Sequence, residues 1–307
     1  MRTVINTPSG KIGALVAERL LDAGKAITII SRHPQKVTAL FKRGARLVEG
    51  SIDDLSVLDT AMKDADSLFW VTPPDYQRPD YIRWVEGIAT TAAAIAANNK
   101  IERAIVLSSA GAQAGPAAGP IGALLTVENA FKEALSRVTV LRAGYFMENF
   151  IADIPTIVNN NTIFGYLPSG EKLPMVATRD VADKTADLLL HGQQDGFHIL
   201  GVHGPEHLTP PLAAAIIGQG IGQSVNYEET STQQVRKGML ATNMPLYLAD
   251  MLTNMITAVK AGHTYTAEPR TPDTTTGTSL LEFSRTILKP AIQKYKTRST
   301  PSQTFNK

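Results

Sequence analysis

Residues 2–31 read RTVINTPSGKIGALVAERLLDAGKAITIIS and decide the fold. A β-branched run leads to Thr7, and a turn with Gly10 and Gly13 follows. Apolar residues then recur at helical spacing up to Gly24, and a second β-branched run ends at Ser31. Because the apolar period changes from two to about 3.6 and back to two, this stretch predicts a strand, a helix and a second strand.

The same alternation continues to residue 144. Further strands are predicted at 45–50, 66–72, 103–109 and 138–144, and helices at 34–44, 56–65, 81–98 and 124–135. A glycine-rich loop occupies 111–122. Strands as apolar as DSLFWVT are typical of a parallel sheet that is covered by helices on both faces. We therefore predict an α/β fold with a doubly wound, Rossmann-like parallel sheet.

After Asn149 the alternation becomes irregular. A helix at 179–192 and a strand at 196–202 are predicted to return to the main sheet, whereas 232–261 is predicted to be mostly helical. These patterns predict a smaller, mostly helical C-terminal subdomain beside the Rossmann-like domain. The predicted boundaries are 1–150 with 178–203 for an NAD(P)-binding domain, 151–177 with 204–295 for a substrate subdomain, and 296–307 for a polar, disordered tail.

Composition excludes several classes of protein. The 307 residues are 43% hydrophobic and carry a net charge of only +2, which argues against a nucleic-acid binder. The chain has no cysteine, so disulfides and thiolate zinc sites are excluded, and its six histidines lack metal-ligand spacing. No apolar run reaches membrane-spanning length. We expect a cytoplasmic protein without a metal site that binds neither membrane nor nucleic acid.

The turn after the first strand opens the first helix, where backbone amides and the helix dipole favour a phosphate. Gly10 would let a ligand approach the backbone, Gly13 would let the helix pack closely on the sheet, and Ser9 can donate to a phosphate or cap the helix. Thr7 stands where many such loops have a further glycine, and Pro8 fixes one backbone angle. The same residues also suit a generic strand-to-helix turn, so both interpretations stay open.

The end of the second strand predicts which dinucleotide would fit. Domains that select NAD tend to have a carboxylate there, whereas this strand ends in Ser31 and Arg32. An arginine at this place suits the 2′-phosphate of NADP, and Lys11 and Lys36 add positive charge nearby. The alternative is that Arg32 is a solvated loop charge.

Further motifs follow one another along the chain. They are SRHPQK (31–36), VEGSIDD (48–54), WVTPP (70–74), IVLSSAGA (105–112), LRAGYFMENF (141–150), LPMVATRDVAD (173–183), GPEHLT (204–209) and TGTSLLEFSRTIL (276–288). Together with NTPSGKIG (6–13), which looks like a degenerate TGATGxxG, they resemble the NmrA-like family of atypical short-chain dehydrogenases/reductases over most of residues 2–290. Thr7, in place of the first glycine, and Ser51, in place of an aspartate, depart from the family pattern.

The resemblance implies a site for NADP(H), preferred over NAD(H). Carried over by position, it implies that the pyrophosphate lies in a cradle formed by Ser9, Gly10, Lys11, Ile12 and Gly13. The adenosine 2′-phosphate would lie beside Arg32 and the adenine near Asp53. The ribose-nicotinamide side would run along Thr72 and Pro73, and the nicotinamide would lie near Ser108 and Ser109. A substrate cleft between the subdomains would be lined by Trp70, Tyr145, Phe146 and Asn149. The loop TPPDYQRPDY (72–81) is either a lid or, as we favour, a solvated connection.

Short-chain dehydrogenases usually carry a Tyr-x-x-x-Lys pair on the helix after strand five, where the lysine lowers the pKa of the tyrosine. Here that helix reads GALLTVENAFKEAL, with no tyrosine and with Leu124 at the place of the lysine. One hypothesis is a reductase of a flat, conjugated small molecule such as a quinone, enone, imine or dye, with Tyr145 and Ser109 as candidate catalytic residues and Tyr145 or water as proton source.

The alternative is a non-catalytic NADP(H)-binding redox sensor that acts through a protein partner. Independently of this choice, the protein could form a homo-oligomer. A third interpretation is that Thr7 and Pro8 block cofactor binding.

Overall fold

The computed structural model describes residues 1–192, 194–262 and 268–299. Its strands are β1 Arg2–Ile5, β2 Ala26–Ser31, β3 Arg46–Glu49, β4 Ser67–Val71, β5 Arg103–Ser109, β6 Arg137–Ala143, β7 Tyr145–Phe146, β8 Thr162–Gly165, β9 Leu173–Val176, β10 Gly196–Val202, β11 His207–Leu208 and β12 Asn226–Glu229. Its helices are α1 Lys11–Asp22, α2 Thr38–Lys42, α3 Leu55–Met62, α4 Tyr81–Asn98, α5 Gly119–Ala134, α6 Ile154–Asn160, α7 Thr178–His191, α8 Pro210–Ile221, α9 Thr232–Ala241, α10 Leu246–Lys260, α11 Leu280–Phe283 and α12 Lys289–Ser299.

The predicted doubly wound sheet is confirmed. The main sheet has the strand order β10-β6-β5-β4-β1-β2-β3, and every neighbouring pair is parallel. β10 pairs with β6 at the edge, so residues 196–202 return to the main sheet as predicted. Chain order reverses between β1 and β4, and the carboxyl ends of these two strands therefore flank the switch point where such sheets bind ligands.

Two buried clusters cover the two faces of this sheet. Because side chains alternate along a strand, Leu68 and Trp70 of β4 pack with α4 and α5, whereas Phe69 packs with α1 and α7 on the opposite face. A third cluster lies outside the sheet and is formed by α6, α8, α11 and α12 with β8 and β9. This cluster is the core of the mostly helical C-terminal part, as predicted.

The C-terminal part also contains short strands. β9 pairs with β7 in parallel and with β11 in antiparallel orientation, and β12 pairs with β8 in parallel. β12 lies in the stretch SVNYEE (224–229), which the sequence predicts to be extended. The other strands were not predicted, because they have two to four residues each, too few for an alternating pattern to be recognised in the sequence.

Element boundaries differ from prediction in several places, among them α5, which begins at Gly119 inside the loop predicted at 111–122. The predicted helix at 34–44 is split into a 3₁₀ turn, Pro34–Lys36, and α2, because the buried Val37 has non-helical angles of φ −119° and ψ 13°. The last helix continues to Ser299 because Ile292 is buried against the third cluster and Tyr295 packs there too. Residues 300–307 of the predicted tail lie outside the described residues. Within the described ranges, no helix combines the length and apolar character needed to cross a membrane.

Candidate functional site

A cleft of about 1290 Å³ opens at the carboxyl edge of the main sheet, where β1 and β4 lie side by side. One end is bounded by the loops after β1, β2 and β3. The other end is bounded by residues 145–153 and 163–167 and by Tyr227. Such a concave site at a topological switch point is the usual place for a ligand in this fold.

The loop after β1 leaves the first turn of α1 without a side-chain cap. Gly10 is the N-cap residue, with extended angles of φ −80° and ψ 160°, and no side chain in the described part of the chain hydrogen-bonds to the first-turn amides. The turn is closed by the Gly10 amide, which donates to the Thr7 carbonyl at 3.1 Å. Ser9 through Gly13 all line the cleft. The loop therefore presents a helix N-terminus whose amides suit an anion.

The two glycines of this loop have different roles. A Cβ atom on Gly13 would lie 2.1 Å from the Thr7 carbonyl oxygen and 3.2 Å from Thr7 Oγ1, so the close approach at Gly13 is to Thr7 rather than to the sheet as expected. A Cβ atom on Gly10 would lie 3.4 Å from the same oxygen, an ordinary contact. Gly13 is thus required by the fold, whereas the fold leaves room at Gly10.

The next two loops bring Arg32 and Asp53 to the same end of the cleft. Arg32 is exposed and forms no hydrogen bond or ion pair with the described residues. Asp53 accepts hydrogen bonds from Ser51 at 2.9 Å, from Arg78 at 2.9 Å and from the indole of Trp84. Burial alone would raise the pKa of Asp53, but these hydrogen bonds and the charge of Arg78 hold it below its ordinary value.

Arg78 fixes the loop that precedes α4. Its guanidinium lies 4.5 Å from the ring centroid of Trp84 and also donates to Asp75 at 2.9 Å. Tyr247 of α10 donates to the carbonyl of Gln77 at 3.0 Å on the same loop. Since Thr72 through Tyr76 line the cleft, the loop is a wall of the cleft, not the solvated connection that we favoured.

Trp70 is the one predicted cleft residue that the structure places elsewhere. Its side chain is fully buried and packs against Phe131 of α5 with ring centroids 5.7 Å apart. Its indole donates to Thr72 Oγ1 at 3.3 Å, so Trp70 supports the cleft only through Thr72. The prediction was wrong because the period of two along β4 directs this side chain into the core.

Sequence reasoning missed Asn6, which fixes the two strands at the switch point. Its amide donates to the Val71 carbonyl at 2.8 Å and accepts from the Val71 amide at 2.9 Å. Asn6 is buried, and both hydrogen bonds run between the end of β1 and the end of β4. The residue directly after an apolar first strand was the available signal.

A buried polar network lies behind Ser108. Ser108 donates to Glu128 of α5 at 2.5 Å, and Glu128 forms an ion pair with Arg142 of β6 at 2.7 Å. Arg142 forms a second ion pair with Glu268 at 2.7 Å. Burial alone would lower the pKa of Arg142, but its two carboxylate partners raise it. The sequence contains no signal for this network because its members are far apart along the chain. Ser109, by contrast, is partly exposed and donates to the carbonyl of Ala110 at 3.1 Å.

The far end of the cleft is aromatic. Tyr145, Phe146 and Asn149 line it as predicted, and the Tyr145 ring lies 5.7 Å from that of Phe150. Tyr166, Tyr227 and Asp153 also line this end and were missed. They come from short elements without a recognisable pattern. Burial raises the pKa of the Asp153 carboxyl to about 6.

The structure therefore gathers most of the predicted residues along one cleft. Those that line it are Ser9, Gly10, Lys11, Ile12, Gly13, Arg32, Asp53, Thr72, Pro73, Ser108, Ser109, Tyr145, Phe146 and Asn149. On α5, Ile121 and Leu124 line it instead of the tyrosine and lysine of short-chain dehydrogenases.

Several known proteins are similar to this chain over most of its length. A (4-alkanoyl-5-oxo-2,5-dihydrofuran-3-yl)methyl phosphate reductase of Streptomyces griseus is 28% identical over 247 residues, which cover 79% of this chain and 82% of that protein. The crystal structure of an NADPH-dependent quinone oxidoreductase of Escherichia coli, complexed with NADPH, matches with a TM-score of 0.77 at 20% identity, covering 92% of this chain and 98% of that one. A triphenylmethane reductase of Citrobacter sp., complexed with NADP(H), matches with a TM-score of 0.73 at 17% identity, covering 96% and 99%. The sequence model of the NmrA-like family matches residues 2–287, and the chain belongs to this family.

Proposed function

We propose that the protein is an NADP(H)-dependent oxidoreductase that reduces a conjugated, aromatic small molecule, such as a quinone, enone, imine or dye, by hydride transfer. The observation that carries this proposal is the single cleft, which begins at the uncapped amides of α1 and continues to an aromatic end. The similar proteins support it, because three of them are reductases or oxidoreductases by name.

The residues at the sheet end of the cleft fit a dinucleotide phosphate. The pyrophosphate would lie against Ser9, Gly10, Lys11, Ile12 and Gly13, where free amides and the absent Gly10 side chain leave room for it. Arg32 would contact the 2′-phosphate, since it is exposed and forms no hydrogen bond or close ion pair with the described residues, although its charge is among those that lower the pKa of Asp53. Asp53 would lie near the adenine, Thr72 and Pro73 along the ribose-nicotinamide side, and Ser108 and Ser109 near the nicotinamide.

The division into subdomains follows from this placement. We assign the cofactor to residues 1–150 and 178–203, and the substrate to 151–177 and 204–295. The walls of the cleft accord with this assignment, because Arg32 lies at one end and Tyr166 and Tyr227 lie at the other.

The bound cofactor would supply the hydride, and the protein would orient the acceptor and exclude water. α5 offers only apolar side chains to the cleft where short-chain dehydrogenases have their proton donor. A conjugated acceptor suits such a site, because it delocalises the charge that hydride addition creates. Tyr145 or water would then supply the proton, with Ser109 as the second candidate catalytic residue.

A calorimetric titration with NADPH and NADH, followed by NADPH consumption over a panel of quinones, enones, imines and dyes, tests the proposal. We expect a stoichiometric NADPH complex that is tighter than the NADH complex, and turnover with at least one acceptor class. If NADPH binds tightly and no compound of the panel is reduced, the reductase proposal fails and the redox-sensor alternative takes its place. No binding of either dinucleotide would mean that Thr7 and Pro8 close the loop to phosphate.

A further inference from the structure

Asp153 differs from the other carboxylates that line the cleft. Asp53 accepts from Arg78, Asp75 accepts from Arg78, and Glu148 accepts from the backbone and hydroxyl of Thr178 at 3.0 and 2.6 Å. The Asp153 carboxyl has no hydrogen-bond or ion-pair partner among the described residues, although it is partly buried. A carboxylate withdrawn from water without a partner is unfavourable, so its retention calls for a ligand that pairs with it.

Several aromatic side chains share the end of the cleft where this carboxylate lies. Tyr76, Tyr166 and Tyr227 line the same end of the cleft. The Tyr227 hydroxyl donates its proton to the Leu167 carbonyl in a hydrogen bond of 2.6 Å, and this bond holds the ring in place. Gly165 permits this position, because a Cβ atom there would lie 2.7 Å from the Tyr227 ring. The negative faces of such rings attract cations.

The basic side chains that line the cleft are all at its opposite end. Lys11, Arg32 and His33 belong to the loops after β1 and β2, where the phosphates of a dinucleotide would lie. None of the described residues that line the cleft near Asp153 is basic. The cleft thus has a positive end, whereas its aromatic end holds the carboxylates of Glu148 and Asp153 and, among the described lining residues, no basic side chain.

We propose that Asp153, Tyr166 and Tyr227 form a subsite for a positively charged group of the substrate, such as an N-alkylated aromatic ring or an alkylammonium. The inference rests on the proposed function, since the cofactor would occupy the opposite end and leave this end to the substrate. The carboxylate would pair with the cation, and the tyrosine rings would cover it in place of water.

The electrostatics of the three side chains agree with a cation subsite. With its pKa at about 6, Asp153 is ionised at neutral pH despite its burial. Burial and the charge of Glu229 come first among the causes that raise the pKa of Tyr227, and Tyr166 and Asp153 add to them. Burial also raises the pKa of Tyr166. Both tyrosines therefore stay neutral, and the subsite carries a net negative charge.

The test compares two probes of the same shape by calorimetry at about pH 8, where Asp153 is ionised. The permanent cation 1-methylquinolinium is compared with quinoline, which is uncharged under these conditions. Both are titrated into the full-length protein saturated with NADP+. The wild-type protein should bind the cation in preference to quinoline, and Asp153→Asn should reduce that preference about tenfold.

Two control variants accompany Asp153→Asn. Asp153→Glu keeps the charge and should keep the preference for the cation. Glu133→Gln removes one exposed carboxylate on α5, away from the cleft, and should change neither affinity. An unchanged preference in Asp153→Asn, or an equal loss for both probes, would overturn the subsite.

NADPH affinity is measured for every variant and separates the two proposals. If the wild-type protein fails to bind NADPH, the proposed function fails. If NADPH binds and the preference for the cation is absent, only the subsite fails.

Discussion

At the scale of single residues, the two glycines of the first loop separate folding from binding. Gly10→Val places a branched side chain in the path of the pyrophosphate, while the backbone angles of Gly10 are extended and acceptable to valine. We expect loss of NADPH affinity by at least about a hundredfold, with the melting temperature almost unchanged.

Gly13→Ala should destabilise the fold and leave the affinity of the folded protein for NADPH almost unchanged. Its Cβ would overlap the Thr7 carbonyl at 2.1 Å, and such overpacking costs about 1–3 kcal/mol of unfolding free energy. Urea denaturation and NADPH titration of both variants check the pair. Normal NADPH affinity in Gly10→Val would remove the loop from the cofactor site.

Arg32 decides the choice of cofactor in the proposed site. Arg32→Glu puts a like charge beside the 2′-phosphate, so NADPH should lose affinity by at least about tenfold more than NADH. Fluorescence titration with both dinucleotides measures the difference. Lys42→Glu, at an exposed position of α2 and outside the cleft, is the control for a general charge effect. If Arg32→Glu lowers the affinities for NADPH and NADH equally, Arg32 is a solvated loop charge that does not contact the 2′-phosphate.

Asp153 should lower the stability of the free protein in a pH-dependent way. Its folded-state pKa, about 6, lies above the ordinary 3.8, so the ionised form is disfavoured by folding. The penalty is absent below about pH 3.8, grows as pH rises, and is complete above about pH 6. Asp153→Asn should therefore stabilise the protein at about pH 8, by on the order of 2 kcal/mol, and not at about pH 4. Urea unfolding at the two pH values measures the effect, and the same gain at both would contradict it.

At the scale of elements, the buried network behind Ser108 connects α5, β6 and the segment around Glu268. Glu128→Ala would leave Arg142 with one carboxylate partner in a buried site and remove the acceptor of Ser108. Breaking a buried ion pair costs about 3–5 kcal/mol, and we expect a loss of unfolding free energy of that order. Glu133→Ala, one exposed position on the same helix, should cost less than about 0.5 kcal/mol. Similar values for the two variants would show that the network contributes little.

At the scale of the whole molecule, the proposed ligands bridge two separately packed regions. The sheet faces are covered by two clusters, and the C-terminal part has a third of its own, with the cleft lying between them. A cofactor present at about 100 times its Kd should add about 2.7 kcal/mol of stability, so NADPH should raise the melting temperature by several degrees. Thermal unfolding with and without NADPH measures the shift, and the Gly10→Val variant should show none.

The sequence by itself determined the main sheet and gathered at one end of the cleft the residues to which we assign the cofactor. β2, α4, β5 and β10 begin and end at the predicted residues, because long apolar runs of fixed period leave little choice of structure. The residues of the proposed cofactor end follow β1, β2, β3 and β4 or lie at the end of β5, and parallel strands bring their carboxyl ends to one edge.

Only the tertiary structure decided what lies opposite that edge. Trp70 and Asp153 illustrate the reason. Trp70 was predicted in the cleft and lies in the core, whereas the carboxylate of Asp153, which was not predicted there, lies in the cleft. Contacts such as Asp53 with Arg78 or Glu128 with Arg142 join residues that are distant along the chain. Periodicity describes which face of an element is buried, but the partner across a cleft depends on how elements pack, and packing is a property of the folded chain.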